Sequence, residues 1–181
     1  MPVPHQREYT AEDYWNLPDD VRAELIDGQL YDMAPPSWTH QKIVSGLVWK
    51  LRDYVECNGG PCQVVSSPVA VNLDANDETW VEPDVIVVCD PAKVSGRGCE
   101  GAPDLVIEVV SPSSISRDYF IKAGKYRQAG VREYWIVDPD TRKTTVYRYG
   151  PDSPVLSVFA FVDSTPVGIF DGLGIVVVDL L

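Results

Sequence analysis

Apolar residues recur along this chain with two periods, and the switches between them mark out its elements. From Ser37 onward Ile43, Val44, Leu47, Val48, Leu51 and Val55 fall three and four apart, the stripe of an amphipathic helix. Asn58-Gly59-Gly60 supplies its stop. A second long helix is predicted over 114–129, opened after Ser111-Pro112 and ended by Gly130. A short one over 8–20 starts at Thr10, where Asp13 three positions on completes a capping box, and ends at Pro18. Between the helices the period drops to two. The stretch RAELIDGQLYDMAP alternates around Asp27-Gly28, a dipeptide favoured in tight hairpin turns, which predicts strands over 22–26 and 29–33. Residues 63–73 read as a strand interrupted near Pro68, while 81–89 and 104–110 carry near-continuous apolar runs, as strands buried on both faces do. Strands over 133–137 and 144–149 flank the turn Asp138-Pro139-Asp140, and short strands over 155–162 and 174–180 flank Asp171-Gly172. Helix, strands, helix, strands predicts an α/β (α+β) fold: a central mixed sheet flanked by helices, with an extra N-terminal hairpin and C-terminal strands.

A length of 181 residues fits one domain, taken as 1–181. With 45% hydrophobic and 23% charged residues the chain can bury a real core, which excludes a disordered or collagen-like protein. Its longest apolar runs, such as 85–89, fall far short of the roughly 18 residues a membrane span needs. The opening MPVPHQREYT carries Arg7 and Glu8 and no apolar core, so it does not read as a secretory signal, and a cytoplasmic protein is expected. Cys57, Cys62, Cys89 and Cys99 match no zinc-ligand spacing. In a reducing compartment Cys89 is expected to end a buried strand and the others to be loop thiols.

The net charge of −12 argues against general attraction to nucleic acid. Its distribution is uneven. Residues 117–148 hold eight basic residues against Asp118, Glu133, Asp138 and Asp140, a net +4, whereas 71–108 hold nine carboxylates against Lys93 and Arg97. An acidic segment is followed directly by a basic one.

Within the acidic segment, period two puts Glu82 and Asp84 on one side of a strand, as a carboxylate pair, and Asp104 and Glu108 on one side of the next. Glu108 stands among Ile107, Val109 and Val110. A lone charge there is costly, so it must be protonated, paired with Lys122 or an Arg, or bound to a metal. If the two strands are neighbours, Asp84 and Glu108 come within reach of one hard cation, and oxygen ligands without His suit magnesium or manganese. The alternative for Asp84 is a simple strand-entry residue after Pro83. On the following helix Asp118, Lys122 and Tyr126 share a stripe. Lys122 either forms a solvated pair with Asp118 or reaches over the sheet end to offset phosphate charge.

Taken together, AELIDGQL at 23–30, Ser37 with His40, EPDVIVV at 82–88, GAPDLVIEVVSPSS at 101–114, and the run from Asp118 through Lys122, Tyr126 and Gly130 to Asp138-Pro139 resemble the Uma-two type family of restriction-endonuclease-like proteins, within the PD-(D/E)xK nuclease superfamily. The resemblance covers nearly the whole chain. It implies a restriction-endonuclease-like core and a metal-dependent endonuclease, acting on DNA, in which Asp84 and Glu108 bind Mg2+ or Mn2+. The strand lysine of the superfamily signature is missing, because Val110 stands two residues after Glu108. The resemblance implies that Lys122, on the next helix, replaces it. Glu24 matches a family position and is expected to add a carboxylate or touch a metal-bound water; otherwise it is a hairpin surface residue. His40 also matches, as a cap or packing residue rather than a base. Cutting both strands with one site per chain calls for a homodimer. The competing class is a non-catalytic interaction module that keeps the nuclease fold, motivated by the charge of −12 and the lack of a recognition domain.

Overall fold

The computed structural model describes residues 8–74, 76–150 and 154–181. The stretch 1–7, part of the segment weighed above as a signal, lies outside them.

Helix α1 (Ala11–Trp15) is shorter than the predicted 8–20, but its capping box forms: Thr10 Oγ1 accepts from the Asp13 amide, and the Asp13 carboxylate accepts from the Thr10 amide. Strands β1 (Ala23–Ile26) and β2 (Gln29–Asp32) form the hairpin, with Asp27 and Gly28 both at positive φ as its tight turn requires. Then come α2 (Trp38–Asn58), β3 (Gln63–Ser66), β4 (Val71–Asn72), β5 (Trp80–Val81) and β6 (Val85–Val88). They are followed by β7 (Val94–Ser95), β8 (Gly98–Glu100) and β9 (Leu105–Val109). A π-helical segment, Arg117–Lys122, runs straight into α3 (Ala123–Ala129). The chain closes with β10 (Glu133–Asp138), β11 (Lys143–Arg148), β12 (Val155–Ala160), β13 (Ser164–Pro166), β14 (Gly174–Val176) and a 3₁₀ turn over Val177–Leu180.

Two six-stranded mixed sheets result, ordered β2-β1-β5-β4-β8-β7 and β12-β11-β10-β9-β6-β3, with β13-β14 as a separate pair. The N-terminal hairpin is therefore the edge of a second sheet, not an appendage. The small β7–β8 hairpin escaped the sequence pattern, because strands of two and three residues have no readable period. Gly98 in it is obligatory, since an added Cβ would lie 2.1 Å from the Ala70 carbonyl oxygen.

The parallel neighbours β9 and β10 and the antiparallel β6 form the centre of the larger sheet. Their odd-numbered side chains (Val85, Val87, Leu105, Ile107, Val109, Trp135) pack on Ile43, Val44, Leu47 and Leu51 of α2. The even-numbered ones (Ile86, Val88, Val106, Tyr134, Ile136) pack on Tyr126 of α3 and on Ile26, Val71 and Val81 of the smaller sheet. Burial on both faces explains the unbroken apolar runs, and a polar residue on either face must find its partner inside the protein.

Candidate functional site

The predicted strand over 81–89 is broken. Glu82, Pro83 and Asp84 lie between β5 and β6, because Pro83 has no N–H to give to a ladder. The period-two reading that made Glu82 and Asp84 a pair therefore fails. Glu82 is drawn to Arg22, at 2.6 Å, and to the Tyr14 hydroxyl, at 3.2 Å. Asp84 instead continues the antiparallel register of β6 and β9: Val85 faces Ile107, so one step further Asp84 faces Glu108. It is tied to that strand end directly, as its Oδ2 accepts the Val109 N–H at 2.8 Å.

Glu108, one residue before the end of β9, projects into the layer between the sheet and the helix after it. There the π-helical turn matters. Widening the helix turns both Asp118 and Lys122 inward, where they are buried, and leaves Phe120 and Ile121 exposed. The Asp118 carbonyl also accepts the Tyr134 hydroxyl at 3.1 Å. Lys122 is 2% exposed, and its Nζ lies 2.6 Å from Glu108 Oε1, 2.7 Å from Glu24 Oε1 and 3.6 Å from Asp118 Oδ1. The solvated pairing of Lys122 with Asp118 is ruled out.

Glu24, on β1, is 1% exposed. The hairpin-surface alternative fails because β1 is an inner strand of its sheet, paired with β5 as well as β2. Its Oε1 accepts the Glu82 N–H at 3.0 Å, and Oε2 lies 3.5 Å from Arg117 Nε without a hydrogen bond. Lys125 pairs with Asp27 and ties α3 to the hairpin turn. Tyr126 donates its hydroxyl to Glu108 Oε1 at 2.7 Å. Asp104 lies at the far end of β9, where it accepts the Cys89 N–H at 2.8 Å and pairs with Arg132, so it takes no part.

Three carboxylates thus surround one ammonium, with Asp84 close enough to add its charge. Burial pushes Glu108 well above the usual carboxylate range, and the charges of Asp118, Asp84 and Glu24 add to it against the pull of Lys122. Asp118 is likewise raised, by burial first. For Glu24 burial is outweighed by Lys122, which holds this carboxyl below its usual value. Burial also opposes charge on Lys122, yet Glu108, Glu24 and Asp118 prevail and keep the ammonium fully charged.

The sequence undervalued His40. Ser37 Oγ caps the helix by accepting the His40 N–H at 3.2 Å, so the imidazole is not the cap; its Nε2 lies 3.1 Å from Asp84 Oδ2. The signal available was its match, with Ser37, to the family pattern, since the contact itself joins residues 44 apart in the chain. The cysteines need a correction too. Cys62 and Cys89, which flank the register pair Gln63–Val88 of β3 and β6, are joined in a disulfide, leaving only Cys57 and Cys99 free.

The donor set suits a hard cation. The described bonds of Asp84 fall on Oδ2 and those of Glu108 on Oε1, which leaves one oxygen of each for a ligand. Among the described residues no three His, Cys, Asp or Glu side chains converge as a complete cage. Asp84 and Glu108 would offer a divalent ion only carboxylate oxygens, the ligand type that suits magnesium or manganese.

A central sheet presenting opposed carboxylates, with a lysine delivered from the following helix, defines an α/β protein of the nuclease fold. The crystal structure of a protein from Anabaena variabilis, described as a putative nuclease, has the same fold: TM-score 0.76, 22% identity, 94% of this chain and 96% of that one covered. Residues 11–173 match the Uma2 family, described as "Putative restriction endonuclease", and the chain belongs to that family. An uncharacterized protein of Synechocystis is 28% identical over 149 residues, 79% of this chain and 75% of the relative. No helix among the described residues is long and apolar enough to cross a membrane.

Proposed function

We propose that this chain is a single restriction-endonuclease-like domain that hydrolyses phosphodiester bonds of DNA with a divalent metal, Mg2+ or Mn2+, held by Asp84 and Glu108. The observation that carries the reading is the Lys122 ammonium, buried 2.6 Å from Glu108 although the strand position for a lysine is Val110. A fully buried lysine ringed by acids is an expensive arrangement for stability alone.

When bound, the metal supplies Lewis-acid charge at the phosphate and acidifies the attacking water. The protein's own groups do the rest. Lys122 offers a fixed positive charge to the negative charge that grows on the phosphate oxygens, at a place where burial makes it count. Tyr126 and Lys122 together pin one oxygen of Glu108, so the other is held in one direction. Glu24 acts through Lys122, fixing the ammonium from a second sheet, and as a further carboxylate beside Glu108 it would also stand near a metal-bound water. The net charge of −12 is unevenly spread, and the stretch 117–148 that carries Lys122 is net +4. Cleavage of both strands would use two copies of the chain.

The test is Asp84→Ala. It should abolish Mg2+-dependent nicking of plasmid DNA and leave the circular dichroism spectrum unchanged, because Asp84 lies outside the strands and its short carboxylate contributes little apolar packing. Wild-type cleavage by this variant would refute the assignment. Parallel substrates, single-stranded DNA and RNA, decide the nucleic acid. The non-catalytic reading rests on the charge of −12; it gains if millimolar Mg2+ or Mn2+ fails to raise the melting temperature of the wild type.

A further inference from the structure

His40 has no assigned part in the chemistry, yet it makes the only side-chain contact described for Asp84. Asp84 sits outside any strand, after Pro83, so no pleat fixes the direction of its carboxylate. Two donors do so instead, and both meet the same oxygen. The Val109 N–H lies 2.8 Å from Oδ2 and His40 Nε2 lies 3.1 Å from it. We propose that His40 is a positioning residue: its Nε2–H anchors Oδ2 of Asp84 and so turns Oδ1 toward the divalent cation.

The proposal rests on the metal reading above and adds a residue to it. The helix that carries His40 is itself fixed, since Ile43, Val44 and Leu47 pack one turn further on against Val85, Ile107 and their neighbours. The imidazole side chain is only 12% exposed, and Gln41 Oε1 lies 3.2 Å from its Nδ1. An ionised carboxylate can only accept, so Nε2 must carry the proton. That holds for the neutral ring and the imidazolium alike, and no titration is needed. A packing role would not require a ring nitrogen aimed at a carboxylate, and a ligand role is closed because Nε2 is already engaged. Groups that orient a metal-binding side chain in this way typically contribute 10- to 100-fold in metal affinity.

The experiment is Mn2+ binding to the full-length chain, followed by electron paramagnetic resonance, for wild type, His40→Leu and His40→Gln. Glutamine keeps an N–H at the reach of Nε2. His40→Leu should bind Mn2+ roughly 10- to 100-fold more weakly, and His40→Gln should recover most of that loss, with unchanged thermal melting of the metal-free proteins. Wild-type affinity in His40→Leu overturns the proposal. So does equal weakening in both variants when both fold normally, because the donor is then not the cause. Failure of the wild type itself to bind Mn2+ removes the metal reading on which the role of His40 depends, a result distinct from either of these.

Discussion

Two buried carboxylates stand on neighbouring strands of the larger sheet and point to opposite faces, and their surroundings differ in kind. Glu133, on β10, faces the α2 side with Trp135, two residues along. It accepts the Trp135 indole N–H at 2.6 Å and has one cation near it, Arg148 at 3.7 Å. Gly168 closes over the pair, where a Cβ would come within 2.5 Å of Glu133 Oε2. That is one acid balanced by one cation under a backbone lid. On the other face Glu108 shares a single ammonium with Glu24 and Asp118, and Asp84 stands opposite it. Burial by itself therefore does not mark a functional carboxylate. What separates the two is the excess of buried acid over buried base on the Glu108 face, a surplus that must be relieved by protonation or by a cation from outside.

The comparison is broken or sharpened most by removing Lys122. Lys122→Met leaves Glu24, Glu108 and Asp118 without their common counter-charge and should lower stability in urea unfolding by about 3–5 kcal/mol. Cleavage should fall by roughly 100-fold or more. Lys122→Arg should not fully restore activity, since a planar guanidinium cannot place one compact charge among three carboxylates. Loss of less than about 1 kcal/mol would mean that the acids protonate or open to solvent at little cost, and the two faces would then be alike.

How far these two sites were legible in the sequence follows from their contacts. Glu108 could be singled out because a charge inside an apolar strand is anomalous on local grounds, and α2, the Asp27-Gly28 turn and the Thr10 cap were readable because each is written within one turn or one hairpin. Glu24 could not be placed from pattern alone, since its burial depends on β1 pairing with β5, more than fifty residues away. Only the family resemblance singled it out. The Glu82–Asp84 pair was misread because period two was carried through a proline. The contact of His40 with Asp84 and the Cys62–Cys89 bond both join segments brought together by the sheet, and no spacing encodes them. Glu133 drew no notice at all: its partner Trp135 is local, but its burial is not.

On the structural face the effects should be smaller. Arg148 is about one-third exposed and donates to the Pro166 carbonyl as well as approaching Glu133. Water can therefore take over part of its role, and Arg148→Met should cost about 1 kcal/mol. Cleavage by that variant should equal that of the wild type. A loss of activity comparable to that of Lys122→Met would show that the two faces of the sheet act as one site.

The smallest effect, and the one that tests the electrostatics most directly, belongs to Glu133. Burial raises its carboxyl above the ordinary 4.5, against the Trp135 hydrogen bond and the Arg148 charge. The folded protein thus holds this proton more tightly than the unfolded chain, and the sign of the linkage follows. Glu133 contributes most below about its unfolded value and loses stability as the pH rises from there through the raised folded value, with no further change above it. Glu133→Gln keeps the carbonyl oxygen that accepts from Trp135 and removes the titration. The variant should therefore gain on the wild type as the pH is raised from 4 and hold a constant difference above the folded value, seen as parallel urea midpoints near neutrality. A difference that shrinks with rising pH would mean that Arg148 outweighs burial, and Glu133 would then be a stabilising ion pair.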